Sequence, residues 1–457
     1  MREEVESRPI VAVLIGLIIG LVALELPASL LFLGLFVLVF RPLRCRLLLA
    51  CAFVVGLLVA PGLANPIVEA TPVHAIGTIS SVPKLHPGLQ TFDVQTDGRI
   101  IEVSTEDRAI FALGDDIRVS GIEMPLTPEV EAYAASMGID GRIRSERIEV
   151  VRVGSWFAHL SGEWREAFVV FFDKAMSGES AALVDAVCFN GGPMLGSSKE
   201  LELKRSGLIH IVTASGLQVF VLAFLLSSAL RFLPITRGIQ IALLAMLLGS
   251  YAMAAGLNPA IVRATIITLL GLGAYLFRRE QDSLSALGVA GIGYLLWNPH
   301  SIYNAGFQLS FITMACLVLF FKRSPIELNE SKGQLIRLSN DLLRLSFVVL
   351  LASMPLSAYY FGGVSTVSIL SNALVCWCTP LVIAGSFVTF VVSWVMPAVA
   401  TSIAAHVLSP LCEWMLSVLA WTGGEGSTLS ISPFSGYWLV AFYGAWLLTY
   451  RRRVVQP

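Results

Sequence analysis

The sequence predicts a polytopic α-helical membrane protein of about 12 membrane segments, carrying a small extracytoplasmic β-barrel of the OB type. Three observations lead there. The 457 residues are 56% hydrophobic and 14% charged, with a mean hydropathy of +0.76, outside the balance of soluble domains. Apolar runs near the ~20 residues that a spanning helix needs recur along most of the chain. Between the third and fourth runs, one polar stretch instead shows the short alternating pattern of strands.

Three apolar runs open the chain, near 10–26, 27–40 and 47–64. The first follows a mixed-charge N-terminus and is succeeded at once by the second, so it reads as an uncleaved span and not a secretory signal. The second is short, so the first two fit a tight hairpin. These runs make an N-terminal membrane part over 1–66. From 67 to 153, β-rich pieces at 74–82, 91–96, 99–104, 116–123 and 148–153 are separated by turn signals at His86-Pro87-Gly88, Asp97-Gly98 and Leu113-Gly114-Asp115. Five such strands suit an OB-type barrel.

Residues 154–205 read as amphipathic interfacial helices and a connector. Phe157, Leu160, Trp164, Phe168, Phe171 and Phe172 recur at helical spacing, with Glu163, Arg165, Glu166 and Lys174 assigned to the other face, so this helix is expected to lie at the membrane surface. Apolar runs resume near 208–233, 238–256, 260–277, 284–297, 305–321, 342–361, 367–396, 402–421 and 436–450, filling a membrane domain over 206–457. The run 367–396 is long and holds Asn372 and Pro380, which suggests a broken or re-entrant element.

Charge sets the orientation. With a cytoplasmic N-terminus and alternating spans, Arg41/Arg44/Arg46, Arg231/Arg237, Arg278/Arg279, Lys322/Arg323/Lys332/Arg337 and Arg451/Arg452/Arg453 all fall on the cytoplasmic side. Both termini are then cytoplasmic and the barrel lies outside. The formal net charge of −1 excludes a polybasic character for the whole chain. The seven cysteines are odd in number and sit mostly in apolar runs, against a disulfide framework. No metal site and no cofactor are expected. Cys376 and Cys378 are two apart, off a common helix face, and lack the second pair that zinc requires.

Polar residues inside apolar runs are the candidate functional groups, because each is costly to desolvate without a partner. The segment GLIHIVTASGLQV at 207–219 places His210, Thr213, Ser215 and Gln218 together. His210 and Gln218 are eight apart, so a continuous helix would put them on one face, narrowed by Ala214. Further on come Asn258-Pro-Ala-Ile-Val-Arg263-Ala, then Trp297-Asn298-Pro299 with Asn304-Ala-Gly306-Phe307-Gln308-Leu-Ser310-Phe311, then Met354-Pro355-Leu356 with Phe361-Gly362-Gly363 and Asn372. In this order, these segments resemble the motifs of the ComEC/Rec2 competence family, the inner-membrane DNA channel of natural transformation, and the barrel and its following helix stand where that family has them. One departure is Gln218, where the family usually has His, so a protonatable role does not carry over to that position.

The resemblance implies a multi-pass protein of the bacterial cytoplasmic (inner) membrane that passes single-stranded DNA into the cytoplasm, and is not itself an enzyme. Many members carry a metallo-β-lactamase-like domain after the last span; here no H-x-H-x-D-H cluster precedes Pro457, so the expectation is that no nuclease is encoded and that a separate protein degrades the other strand. No G-x-x-x-x-G-K-[ST] motif occurs, so the motor is expected elsewhere. The expected partners are single-stranded DNA, the lipid bilayer, a nuclease, a DNA-delivery receptor, and a cytosolic helicase or single-strand-binding protein. Oligomeric state is left open, a homo-oligomer included.

A polyanion crossing a bilayer needs a wetted path whose donors meet phosphate weakly enough to release it. The candidates to line it are His210, Ser215, Gln218, Asn258, Arg263, Asn304, Gln308, Ser310 and Asn372. For each there is a structural alternative: Arg263 snorkels or closes a hydrogen-bond network, and Asn304, Gln308 and Ser310 pin the start of a span. His406 and Glu413, seven apart around Pro410, are the candidate proton relay. That pair would suit the rival function, a proton-coupled secondary transporter of a small solute, although no internal inverted repeat is visible. The barrel is a doubtful DNA binder: eight Lys and Arg face fourteen Asp and Glu between 67 and 153. Arg142, Arg144 and Arg147 could form a cationic patch, but Phe92, Phe111 and Tyr133 are the only aromatic residues for stacking, and some belong in the core. Scaffolding or partner docking suits the barrel equally well.

Overall fold

The computed structural model describes residues 9–22, 49, 51–53, 72–81, 83–86, 89–96, 99–107, 111–124, 139–189, 195–212, 216–276, 282–320, 348–360, 362–431, 438–439 and 442–443. They group into two units, one comprising Met1–Ala64, Gln281–Val364 and Ser430–Pro457, the other Asn65–Glu280 and Ser365–Leu429.

The first unit contains helix α1 (Pro9–Val22), and the second opens with six strands, β1 (Pro72–Ile79), β2 (Lys84–His86), β3 (Leu89–Thr96), β4 (Arg99–Thr105), β5 (Asp116–Met124) and β6 (Gly141–Arg152). Five of them close a barrel in the order β1-β5-β6-β4-β3, with β3 returning to β1 through Thr78↔Gln95 and Ile79↔Val94. All neighbours are antiparallel except β4 and β6, which run parallel from Ile101↔Gly141 to Ser104↔Arg144. The short β2 adds to β3 as a hairpin.

Alternation explains the barrel. Phe92, Val94, Ile101, Val103, Ile117, Val119 and Ile143 point inward and are buried, and the residues between them point out. Phe92 and Phe111 pack 5.2 Å apart inside, so neither offers a base-stacking surface. The last strand begins well before the expected 148, because Arg142 and Arg144 are outward partners of the inward Ile143.

A buried carboxylate ties the barrel to the next helix, α2 (Trp156–Ala175). Asp115 accepts from the N–H groups of Ala112 (2.8 Å) and Gly154 (2.7 Å), and its Oδ1 lies 2.8 Å from His159 Nε2. Gly154 meets Gly114 so closely that a Cβ would fall 2.3 Å from the Gly114 carbonyl carbon.

The second unit continues with α3 (Gly178–Phe189), α4 (Gly196–Ser206), α5 (Ile209–Val212), α6 (Gly216–Leu230), α7 (Arg237–Ala254) and α8 (Pro259–Leu276). The apolar stripe of α2 is consumed by protein packing: Phe168 is fully buried against Phe172 and Phe189 and against Phe387 and Phe390 further along the chain. Ser161 and Trp164 join α2 to α7 through Ser250, each at 2.9 Å. Arg165, assigned by spacing to the polar face, is a correction: it is 7% exposed, because it follows Ser161 by one turn and precedes Phe168 by another, on the buried stripe.

In the first unit, α9 (Ser283–Trp297) packs on α1, where Gly288 and Gly291 leave room for Ile10 and Leu14. A tight helical turn over Pro299–Tyr303 leads to α10 (Ala305–Phe320), and α11 (Val348–Tyr360) follows. Returning to the second unit, the expected broken run is two helices, α12 (Ser368–Val375) and α13 (Thr379–Ser393), with Pro380 at the start of the latter. Then come α14 (Pro397–Ile403), a π-helical turn over Ala404–Leu408, and α15 (Ser409–Thr422). The π turn carries the chain past Pro410, which lacks an N–H and would clash with a regular helical carbonyl. Among the described residues, Arg237–Ala254, Ser368–Ser393 and Pro397–Thr422 are long and apolar enough to cross a membrane, and six further apolar helices are shorter.

Candidate functional site

Gly207 ends α4 with φ 75°, the left-handed conformation of a helix C-terminus, and Leu208 N–H returns to the Leu203 carbonyl at 3.0 Å. That turn starts α5, where His210 is exposed and its Nδ1 lies 3.0 Å from the Gly207 carbonyl. Ser215 lies outside the described residues. Gln218 is 1% exposed and donates from Nε2 to the Val187 carbonyl at 3.0 Å. His210 and Gln218 therefore do not share an exposed face.

The physical reason is the end of α3. Its last carbonyls have no partner within the helix, and Gln218 takes the one at Val187 while the Tyr251 hydroxyl donates to the one at Cys188 at 2.7 Å. Gln218→Leu leaves the Val187 carbonyl buried and unsatisfied, at an expected cost of about 1–3 kcal/mol. Thermal unfolding of the purified protein in detergent, with Tyr251→Phe alongside, measures it.

Asn258 and Arg263 open α8. The α7–α8 turn uses Gly256 at φ 86° and Leu257 at φ 48°. Asn258 Oδ1 accepts from Ala260 N–H at 3.1 Å as the helix cap. One turn on, Arg263 is half-buried beside α6: a Cβ on Gly216, the first described residue of that helix, would lie 3.7 Å from Arg263 Nη2 and 3.3 Å from Ala264 Cβ. The guanidinium is thus a fixed cation beside α6, and it favours negative charge.

The other candidates are placed elsewhere. Asn304 caps α10 by accepting from Phe307 N–H at 3.1 Å, and Gln308 Nε2 donates to the Ile302 carbonyl at 2.7 Å. Ser310 is half-buried on the same helix; all three belong to the first unit. Asn372 Oδ1 faces the Cys376 thiol at 3.6 Å on α12. His406 sits in the π turn with Nδ1 3.0 Å from the Ser402 carbonyl, and both it and Glu413 are exposed.

Among the described residues, the arginines of the barrel are paired with carboxylates. Arg142 pairs with Glu102, Arg144 with Glu106 at 2.9 Å, and Arg147 with Glu149 at 3.1 Å. Arg144 and Arg147 line an open cleft of about 780 Å³ with Glu106 and Asp107 in the same wall, so the cleft has no dominant sign.

One polar pair escaped sequence reading altogether. Arg165 on α2 and Asp185 on α3 form an ion pair at 3.7 Å inside the second unit, 7% and 2% exposed. Burial pushes the Asp185 carboxyl up; Arg165 opposes this and Asp173 adds to it. The only signal was the helical spacing of Arg165 with Ser161 and Phe168.

These features define a membrane protein with a β-barrel followed by apolar helices of spanning length. A family profile described as Competence protein matches residues 194–454, more than half of the chain, so this chain belongs to the competence protein family, ComEC/Rec2. It is similar to ComE operon protein 3 of Bacillus subtilis (strain 168), 27% identical over 212 residues, which are 46% of this chain and 26% of that protein. It is also similar to an uncharacterized protein of Aquifex aeolicus (strain VF5), 34% identical over 118 residues, 26% of this chain and 27% of that one. The matched parts span about a quarter of each curated relative. No solved structure matches.

Proposed function

We propose that the chain acts in DNA uptake as an inner-membrane conduit for single-stranded DNA, with Arg263 beside Gly216 meeting the phosphates. The observation that carries this reading is the placement of the Arg263 guanidinium against Gly216, within the part matched to the competence family. An arginine guanidinium binds a phosphate and, in a wet site, releases it. His210, exposed one short helix earlier, is the next candidate along the path.

About twelve spans with cytoplasmic termini follow from the apolar runs and the positive-inside distribution. Trp394 supports the span assignment of Ser368–Ser393: it is 71% exposed and follows the last residue of that stretch, as an interfacial aromatic does. The barrel, whose strand order suits the OB type, lies outside the cytoplasm in this reading. With its described arginines paired, it serves to hold a delivery partner and not to grip DNA. A cytosolic helicase or strand-binding protein draws the strand inward.

Arg263→Ala is expected to lower DNA passage and transformation on the order of tenfold, the loss of one charge-assisted contact of about 1.5 kcal/mol, while Arg263→Lys retains much of it. The salt dependence of single-strand binding should flatten by about 0.7 in log–log slope, the share of one phosphate. Normal transformation in Arg263→Ala and His210→Ala, with both proteins inserted, removes these residues from the path.

A further inference from the structure

The Arg165–Asp185 pair is neither a cap nor a close salt bridge. At 3.7 Å the two groups are beyond hydrogen-bond distance, and Arg165 Nε and both Asp185 oxygens make no hydrogen bond. Arg165 holds other partners: Nη1 lies 3.4 Å from the Pro83 carbonyl of the barrel, and the guanidinium stands 5.6 Å over the Phe189 ring. Titratable groups face the pair from α2, α3 and α7, and α5, which carries His210, also packs on α3. Asp173 lies on α2 itself, Cys188 is one turn beyond Asp185 on α3, and Tyr251 of α7 faces both Arg165 and Cys188. Ser386 of α13 and Cys412 of α15 meet Cys188 from the other side. Helix α3 has 12 residues and is about 18 Å long, too short to span the ~30 Å hydrocarbon layer.

An ionised carboxylate buried without hydrogen bonds costs several kcal/mol. A proton removes that cost. The guanidinium is not stranded by the change, because the Pro83 carbonyl and the Phe189 ring remain beside it. The geometry points to Asp185 as a proton-binding site at the heart of the second unit, whose occupation loosens α3 from Arg165. A proton from water adds to one carboxylate oxygen, the ion pair is lost, and the charge of the site rises by one. Since Arg165 also touches the barrel, the switch sits where α2, α3 and the barrel meet. Its effect on DNA passage rests on the reading proposed above; proton binding does not.

The test uses the full chain in nanodiscs. Infrared difference spectra taken across pH should show a protonated-carboxyl band that persists above about pH 5, where exposed carboxyls are ionised. It should exchange slowly into deuterated water, vanish in Asp185→Asn and shift in Asp185→Glu. Thermal stability of the wild type should be full below pH ~3.9, the unfolded value, and fall as pH rises through the raised folded value, because the native state holds the extra proton. Asp185→Asn mimics the protonated form, so it should fold and lose that pH dependence. Absence of the band, its survival in Asp185→Asn, or an Asp185→Asn protein that is unfolded or weaker at every pH overturns the proposal and shows a permanently ionised pair. Single-stranded DNA uptake into vesicles at varied pH supplies the second arm: several-fold dependence in the wild type that Asp185→Asn flattens. No uptake at any pH defeats the DNA reading, while the spectra still decide the proton site.

Discussion

Phe168→Ala is expected to lower the stability of the second unit by about 3–5 kcal/mol, the range for deleting a fully buried aromatic ring. The ring is 0% exposed and lies within 4.7 to 5.5 Å of four others: Phe172, Phe189, Phe387 and Phe390. Those neighbours come from α2, α3 and α13, so the cavity left behind opens at a junction of three helices that cannot all close in. Trp156→Ala on the same helix provides the contrast. Trp156 is 72% exposed, and its loss should change stability by no more than ~0.5 kcal/mol. Thermal unfolding in detergent distinguishes a helix built into the bundle from one held by lipid alone. If both substitutions cost the same small amount, α2 is not part of the core.

Gly207→Ala is the second large effect. The residue has φ 75°, where an L side chain costs about 1–2 kcal/mol. Its added Cβ would also lie 2.6 Å from Ser368 Cβ and 3.2 Å from Ser365 Cβ, and overpacking of that kind adds about 1–3 kcal/mol. Gly256→Ala isolates the first contribution, since φ is 86° there and nothing lies within 4 Å of the new Cβ. The Gly207 protein should therefore unfold at a lower temperature than the Gly256 protein. Because Gly207 sets the start of α5, the same change should displace His210 and lower DNA passage beyond what stability explains.

The barrel was legible because its interior alternates with polar residues; it was misread at the short β2, whose His86 reads in sequence as a turn signal, and at the start of β6, where Arg142 and Arg144 flank Ile143 and hide the period. Apolar runs marked the helices, and Asn372 with Pro380 marked the break between α12 and α13. The candidate site was harder to read. Asn258, Asn304 and Gln218 stand out as polar residues in apolar runs, yet each satisfies an orphan group at a helix end. Local capping is visible in sequence for the two asparagines; for Gln218 it is not, because its partner Val187 lies 31 residues away. Arg165 and Asp185 were invisible for the same reason: the meaning of each depends on a residue of another helix.

In the proposed function, single-stranded DNA crosses the membrane through this helical bundle past Arg263. Purified protein in sealed vesicles, offered labelled single-stranded DNA and small solutes in parallel, tests it most directly. Wild-type vesicles should accumulate protected DNA, and Arg263→Ala vesicles, with equal insertion, about a tenth as much. Uptake of solutes with no protected DNA would contradict it and favour a small-solute transporter.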